Sequence, residues 1–337
     1  MPRQQRQFYL DYLRFVATIA VVFLHVSVKD YHTAFPSFNW YLAVIGDSMM
    51  RWSVPLFVMI SGVLFLNPDK KITYKDILSK YLPRLLIAYV SWYLIYILFQ
   101  ISISSILQKR FVFDNSFLTP YFHLWFLPML MGVYLFIPVL RKVSESFSLM
   151  RYALILWIGF LAIGFILDSN IPQIGELFLI NIVFGFSGYF LLGHYISQYP
   201  VSKRQQGLIY TIGVLGLLIT IGGNIILSLH RGSAVEKFLS FLSPFVAVTS
   251  VAIFVLAKQN DSLFQRKFSA VVNYTRNDLF GIYLIHGIWL RIINVDLLRN
   301  LFNHAISLPL ITIIIFVLSL YTSKIIRKIP YLRMVVE

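Results

Sequence analysis

The stretch LDYLRFVATIAVVFLHVS, residues 10–27, decides the fold because it reads as a membrane-spanning helix with two costly polar residues inside it. Arg14 and His25 interrupt a run that is otherwise almost entirely apolar. An arginine near the centre of a bilayer costs about 2.5–3.5 kcal/mol on insertion scales, so it usually faces a polar interior. The stretch therefore predicts a helix with one face turned towards a polar pathway or site.

Helical geometry places Arg14 and His25 on that same face. They are 11 residues apart, which at 100° per residue leaves them about 20° from exact alignment and about 16 Å apart along the axis. Asp11 precedes Arg14 by three residues, a spacing that permits an ion pair. Two simpler interpretations stay open: Arg14 as a snorkelling anchor, and His25 as an interfacial or helix-bridging histidine.

Composition makes the whole chain a polytopic membrane protein. Its 337 residues are 58% hydrophobic and 13% charged, with a mean hydropathy of +0.75, which leaves too little polar surface for a soluble globule. The net charge of +15 lies in short basic clusters between apolar runs, as the positive-inside rule requires. Membrane lipid is thus an expected partner, and nucleic acid is not.

Ten apolar segments are long enough to cross a bilayer at about 20 residues per span. They leave no stretch long enough for a soluble domain, so residues 1–337 are predicted to form a single all-α integral membrane domain with no fused soluble domain. The predicted spans cover residues 8–28, 40–66, 81–107, 122–140, 152–168, 176–197, 207–229, 237–257, 277–299 and 305–326.

The Lys and Arg residues predict that both termini are cytoplasmic. With that orientation about 20 of the 29 basic residues fall on the cytoplasmic side, and about six on the other. The basic start followed by an apolar run also resembles a signal peptide, but Arg14 interrupts the run and no small-residue cleavage pattern follows. We therefore treat this segment as a retained first helix.

The second span contains another candidate ion pair. Asp47 and Arg51 are spaced i to i+4, and Pro55 can kink the helix beyond them. The simpler alternative is a pair that only fixes helix packing. Ser61 and Gly62 favour close helix packing over a catalytic serine, because no GxSxG elbow surrounds Ser61.

Further polar residues lie at span ends or near mid-span. His123 and Trp125 open the fourth span, Glu176 opens the sixth, and His286 lies in the middle of the ninth. An aromatic belt would explain Trp125, and a negative charge suits the helix N-terminus at Glu176. No HExxH pair or compact histidine cluster predicts a metal site, and the absence of cysteine removes thiolate catalysis and zinc–thiolate sites.

The predicted topology divides these polar residues into an inner group and an outer group. Such a division is typical of a site that binds two substrates. One group, with Arg14, faces the cytoplasm, where an anionic donor would dock; the other would meet a hydroxylated acceptor. An exporter of polysaccharide or lipid-linked sugar is the alternative, but the paired broken helices of transporters are not found. A sensor or scaffold is a third possibility. The outer group consists of His25, Asp47, Arg51, His123 and Glu176.

Four stretches in chain order resemble the acyltransferase-3 family of integral membrane O-acyltransferases. The signature of an arginine, ten residues and a histidine is matched by Arg14 and His25. The others are RWSVPLFVMISGVLF from Arg51, FHLWFLPMLMGVYLFIPVL from Phe122, and LFGIYLIHG ending at Gly287. The resemblance covers nearly the whole chain and is strongest to the short O-acetyltransferases that modify surface polysaccharides.

This resemblance implies an acetyl-CoA-dependent O-acetyltransferase, multi-pass in the cytoplasmic membrane of a bacterium. Acetyl-CoA is the expected donor, a cell-surface or lipid-linked saccharide the expected acceptor, and no metal is expected. The cytoplasmic RxxR motif of some members is not carried over, because only Arg3 and Arg6 have that spacing. The oligomeric state is not predicted.

Roles follow for the candidate residues. Neutral His25 is expected to be the general base, and Arg14 to bind or orient the CoA portion of the donor, with Ser61 beside it. Arg51 or His123 is expected to stabilise the oxyanion. A covalent acetyl-histidine is the rival route. The acceptor or oxyanion candidates are Asp47, Arg51, His123, Trp125, Glu176 and His286.

Overall fold

A computed structural model describes residues 7–167, 178–293, 298 and 302–336. Within these ranges the chain is helical and contains no strand, which confirms the all-α integral membrane class. The helices are α1 (Phe8–Thr33), α2 (Phe38–Met50), α3 (Ser53–Phe65), α4 (Tyr74–Asp76), α5 (Leu82–Gln108), α6 (Phe126–Ser144), α7 (Phe147–Leu167), α8 (Phe178–Gln198), α9 (Lys203–Arg231), α10 (Pro244–Gln259), α11 (Asp261–Thr275), α12 (Leu279–Ile292), α13 (His304–Arg327) and α14 (Pro330–Arg333).

Eight helical segments of the described chain are long and apolar enough to cross a membrane. Among the remaining helices, α12 is apolar but has only 14 residues, about 21 Å at 1.5 Å per residue, which falls short of a bilayer core by itself. The predicted count of ten spans and the cytoplasmic position of both termini stay predictions.

The predicted second span is two helices. α2 ends at Met50 and α3 begins at Ser53, so the chain breaks at Arg51 and Trp52. Pro55 explains why the interruption lies at Arg51. Proline has no N–H to donate to the carbonyl four residues earlier, which is that of Arg51, and the proline ring also crowds this carbonyl. Arg51 lies at the end of α2 with helical backbone angles and stays on the same face as Asp47, four residues earlier.

The predicted fourth span starts four residues later than expected. α6 begins at Phe126, and Pro128 occupies its first turn, where a missing N–H costs nothing. His123 and Trp125 therefore lie in the tight turns before the helix. These turns are closed by backbone hydrogen bonds from Leu124 to Tyr121 and from Leu127 to Leu124.

Helix α1 is the central element, and it packs against α2, α3, α11, α12 and α13. The amphipathic α11 was not predicted, because residues 261–275 contain no long apolar run. It is held to the start of α1 by a ring stack between Tyr12 and Phe264, with centroids 4.3 Å apart.

The closest helix crossing joins α3 and α8 through two glycines. A Cβ atom added at Gly62 would lie 1.8 Å from the Phe190 carbonyl oxygen, and one added at Gly193 would lie 2.1 Å from that of Met59. The missing side chain of each glycine thus leaves room for the backbone of the other helix, which is the role of small residues at membrane helix interfaces. This confirms the packing interpretation of Gly62.

Candidate functional site

One cavity of about 780 Å³ runs between the helices beside α1. Both Arg14 and His25 line it, which confirms that they share a face of the first helix. Seven of the nine residues singled out in the sequence line its wall: Arg14, His25, Asp47, Arg51, Ser61, His123 and Trp125. Of the other two, Glu176 lies outside the described residues, and His286 lies against His25.

One end of the cavity is strongly cationic. Arg14 lies there and contacts Asp11 across 3.8 Å, which confirms the expected ion pair. Four further arginines from α5, the turn before α12, α13 and α14 join it on the wall. We call this set the arginine end: Arg14, Arg84, Arg276, Arg327 and Arg333.

Asp278 organises part of the arginine end. Its carboxylate is almost fully buried, accepts hydrogen bonds from Arg327 at 3.0 Å and Ser323 at 3.2 Å, and lies 3.7 Å from the Lys324 ammonium group. One carboxylate therefore holds two cations, so the local charge remains positive. This arrangement favours an anionic ligand at that end.

Three histidines cluster at the opposite end of the cavity. His25, from α1, stacks on His286 of α12 with ring centroids 5.2 Å apart and 23° between the planes. His123 lies 4.6 Å from the His286 ring and 6.2 Å from the His25 ring. Helix α1, helix α12 and the turn before α6 thus each contribute one imidazole to the histidine cluster.

Hydrogen bonds fix the orientation of the His286 ring and the backbone position of His123. His286 Nδ1 lies 2.6 Å from the Tyr283 carbonyl oxygen, so Nδ1 carries the proton and Nε2 keeps a lone pair. The Tyr283 hydroxyl donates to the His123 carbonyl at 2.5 Å. His286 Nε2 and both ring nitrogens of His123 are buried without a hydrogen-bond partner in the described part of the chain, a state that favours a polar ligand.

The wall beside the histidine cluster combines charge and aromatic surface. Arg51 Nε donates to Asp47 at 2.6 Å, which confirms the expected pair, and its guanidinium lies 5.2 Å from the centroid of the Phe241 ring. Trp125 stacks on the same Phe241 ring at 5.8 Å. Glu236, also on the wall, faces His32 across 3.1 Å.

The Asp47→Asn substitution should destabilise the protein, because Asp47 is 2% exposed and its loss leaves the Arg51 charge buried without its carboxylate. Removing one partner of a buried pair typically costs about 3–5 kcal/mol. Thermal unfolding in detergent measures the effect. The exposed Lys142–Glu145 pair is the matched control, and Glu145→Gln should leave the transition nearly unchanged. Equal shifts for both variants would contradict the structural role of Asp47.

Ser61 lines the cavity, but its hydroxyl donates to the Phe57 carbonyl of its own helix at 2.9 Å. That bond is typical of a serine within a membrane helix. Within the described residues, no group of three or more His, Cys, Asp and Glu side chains has an arrangement that could hold a metal ion.

Several wall residues were not among the sequence candidates. They come from segments that are distant in the chain. The arginines among them lie near predicted span ends, a property that they share with most other basic residues here. Phe241 lies within the predicted span 237–257 and Glu236 directly precedes it, although the structure has only a short 3-10 turn at Lys237–Leu239 and the helix begins at Pro244. Among the missed wall residues are Arg84, Glu236, Phe241, Arg276, Arg327 and Arg333.

Comparison with known families agrees with the motifs. The family model described as Acyltransferase domain, which represents the acyltransferase-3 family, matches residues 7–328. No curated protein and no solved structure matches the chain. The match covers nearly all of the helical bundle and every residue of the cavity wall except Arg333 and Val336. The chain therefore belongs to the acyltransferase-3 family and is a membrane acyltransferase.

Proposed function

We propose that this protein is an O-acetyltransferase of a bacterial cytoplasmic membrane. It takes the acetyl group of acetyl-CoA from the cytoplasmic side and transfers it to a hydroxyl of a cell-surface or lipid-linked saccharide. The observation that carries the proposal is the single cavity that Arg14 lines at one end and His25 at the other. Such a cavity suits a donor with a polyanionic head and an extended arm.

The donor end is assigned from charge. The phosphates of CoA need cations, and arginine binds phosphate oxygens through paired N–H groups. Within the described residues, the arginine end offers five guanidinium groups, and the carboxylates on the cavity wall are Asp47 and Glu236, both beside the histidine cluster. Arg14 lies about 16 Å from His25 along the axis of α1. The phosphates of the donor therefore bind near Arg14, while the acetyl group at the other end of the CoA arm lies near His25.

The reaction at His25 needs one base and no cofactor. The neutral imidazole takes the proton of the acceptor hydroxyl while the hydroxyl oxygen attacks the thioester carbonyl carbon. The tetrahedral intermediate then collapses, the carbon–sulfur bond breaks, and the protonated imidazole gives its proton to the departing thiolate. The products are the acetyl ester and free CoA, and His25 returns to its neutral form.

His123 is the better placed of the two oxyanion candidates. Its ring nitrogens have no hydrogen-bond partner within the described chain, and its ring lies 6.2 Å from that of His25. A neutral imidazole can donate one N–H to a developing oxyanion. The hydrogen bond from Arg51 Nε to Asp47 holds the guanidinium against the wall, so we assign Arg51 to the wall beside the acceptor.

The acceptor end suits a sugar ring. The stacked faces of Trp125 and Phe241 offer an apolar platform, and the carboxylates of Asp47 and Glu236 accept hydrogen bonds from hydroxyl groups. His286 lies behind His25, and its stacked ring fixes the plane of the base. We assign it as a positioning residue.

Arg14→Gln should weaken donor binding by about tenfold or more, because charge-assisted hydrogen bonds to phosphate contribute about 1.5–3 kcal/mol. Acetyl-CoA raises the thermal stability of a protein that binds it only when folded. The measurement is the rise in Tm of the purified protein with acetyl-CoA, which should be clearly smaller in the variant at the same acetyl-CoA concentration.

Arg204→Gln is the matched control, since Arg204 is exposed at the start of α9 and is not on the cavity wall. It should keep the full acetyl-CoA response. Identical responses of the Arg14 and Arg204 variants would refute the donor assignment. Absence of any response in the wild-type protein would refute acetyl-CoA as the donor.

A further inference from the structure

A second, smaller pocket opens on the side of the bundle. Its volume is about 290 Å³, and it lies between α5, the segment that follows α5, and the end of α12. No candidate from the sequence belongs to it. It is lined by Phe99, Gln100, Ile103, Ser104, Phe117, Tyr121 and Arg291.

The pocket pairs one cation with neutral hydrogen-bond donors. Arg291 is exposed, and Gln100, Ser104 and Tyr121 add an amide and two hydroxyl groups. Tyr121 and Arg291 both line the pocket. Burial raises the pKa of the Tyr121 hydroxyl, and the charge of Arg291 opposes that shift. No carboxylate is among the described residues of the lining. This donor set matches a phosphate group.

The surroundings of the pocket match a lipid. Phe99, Ile103 and Phe117 form its apolar part. Along α5, the apolar side chains of Leu98 and Ile106 are 64% and 72% exposed, as expected for a surface that faces acyl chains. An exposed arginine at the end of a span lies where head groups meet the hydrocarbon core.

Aromatic contacts connect this pocket to the histidine cluster. Tyr121 stacks on Tyr96 with centroids 4.2 Å apart and lies 4.7 Å from the ring of Phe122. Phe122 in turn lies 4.6 Å from His25. Along α12, Arg291 follows His286 by five residues, about 7.5 Å of helix.

We propose that this lateral pocket binds the phosphate group of a membrane lipid. Arg291 forms charge-assisted hydrogen bonds to the phosphate oxygens, Gln100, Ser104 and Tyr121 donate further ones, and the lipid chain lies along the apolar face of α5. This binding does not require acetyl transfer. One consequence rests on the proposed function: a saccharide carried on such a lipid would have its sugar held near His25.

Binding of a polyprenyl monophosphate to the purified full chain in detergent, measured by native mass spectrometry without acetyl-CoA, tests the site. Arg291→Gln should weaken binding about 10- to 100-fold. Arg231→Gln, at an exposed arginine that ends α9, should change it less than twofold. Polyprenyl alcohol should bind far more weakly than the monophosphate, and excess inorganic phosphate should not displace the lipid.

Gln100→Leu provides a second variant in case Arg291→Gln does not fold, and it should weaken binding severalfold. Retention of the acetyl-CoA thermal shift in either variant establishes that the bundle is intact. Wild-type affinity in both folded variants would overturn the proposal. Equal affinity for inorganic phosphate would also overturn it, because the site would then recognise a free anion. Lipid binding by His25→Ala separates this site from the transfer reaction.

Discussion

His25→Ala should lower acetyl transfer by about 10²–10⁴-fold, the usual contribution of a positioned general base. The side chain lines the cavity, and its ring stacks on that of His286 with centroids 5.2 Å apart. Transfer is measured with purified protein, labelled acetyl-CoA and a saccharide acceptor. The loss should appear in kcat, because the donor binds at the arginine end.

His230→Ala is the control, since His230 is exposed near the end of α9 and is not on the cavity wall. It should retain full transfer. The acetyl-CoA thermal shift should persist in His25→Ala, which would show that the bundle and the donor end remain intact. Normal turnover by folded His25→Ala protein would refute the proposed mechanism.

Gly62→Ala should prevent correct packing of α3 on α8. The new methyl group would lie 1.8 Å from the Phe190 carbonyl oxygen, and a backbone atom cannot rotate away as a side chain can. The helices have to separate, which costs roughly 1–3 kcal/mol or more for an overpacked interface. We expect a lower Tm and loss of transfer together, because α3 carries part of the cavity wall.

Gly159→Ala isolates the steric effect from the change in helix propensity. A Cβ atom at Gly159, within α7, meets nothing within 4 Å, so alanine there should stabilise the protein by up to about 1 kcal/mol. Thermal unfolding of both variants in the same detergent makes the comparison. Equal shifts would mean that the α3–α8 crossing is looser than described here.

Contacts and shared faces within one helix could be predicted from the sequence, because helical spacing is regular. The common face of Arg14 and His25 follows from their separation, and the Asp47–Arg51 pair follows from i to i+4 spacing. His286 and Arg291 are five residues apart, a spacing that does not put two side chains on one helical face. The structure separates them: His286 is fully buried against His25, and Arg291 lines the lateral pocket.

Contacts between distant segments could not be predicted in this way. The five arginines of the arginine end come from five separate elements of the chain, and a single sequence does not reveal which span ends meet. The histidine cluster has the same origin, because α1, α12 and the turn before α6 meet only after the bundle has formed. The break at Arg51 was signalled by Pro55, although the sequence indicated a kink and not two helices.

The distance between the arginine end and the histidine cluster has an electrical consequence. Moving one elementary charge across a membrane changes its free energy by about 2.3 kcal/mol per 100 mV of membrane potential. In the proposed reaction the phosphates stay with the arginines, an acetyl group moves outward, and the acceptor's proton returns inward on the CoA thiol. Formally, an acetyl cation moves outward and one proton moves inward, so no net charge crosses the membrane. Turnover should therefore neither consume nor depend on the membrane potential.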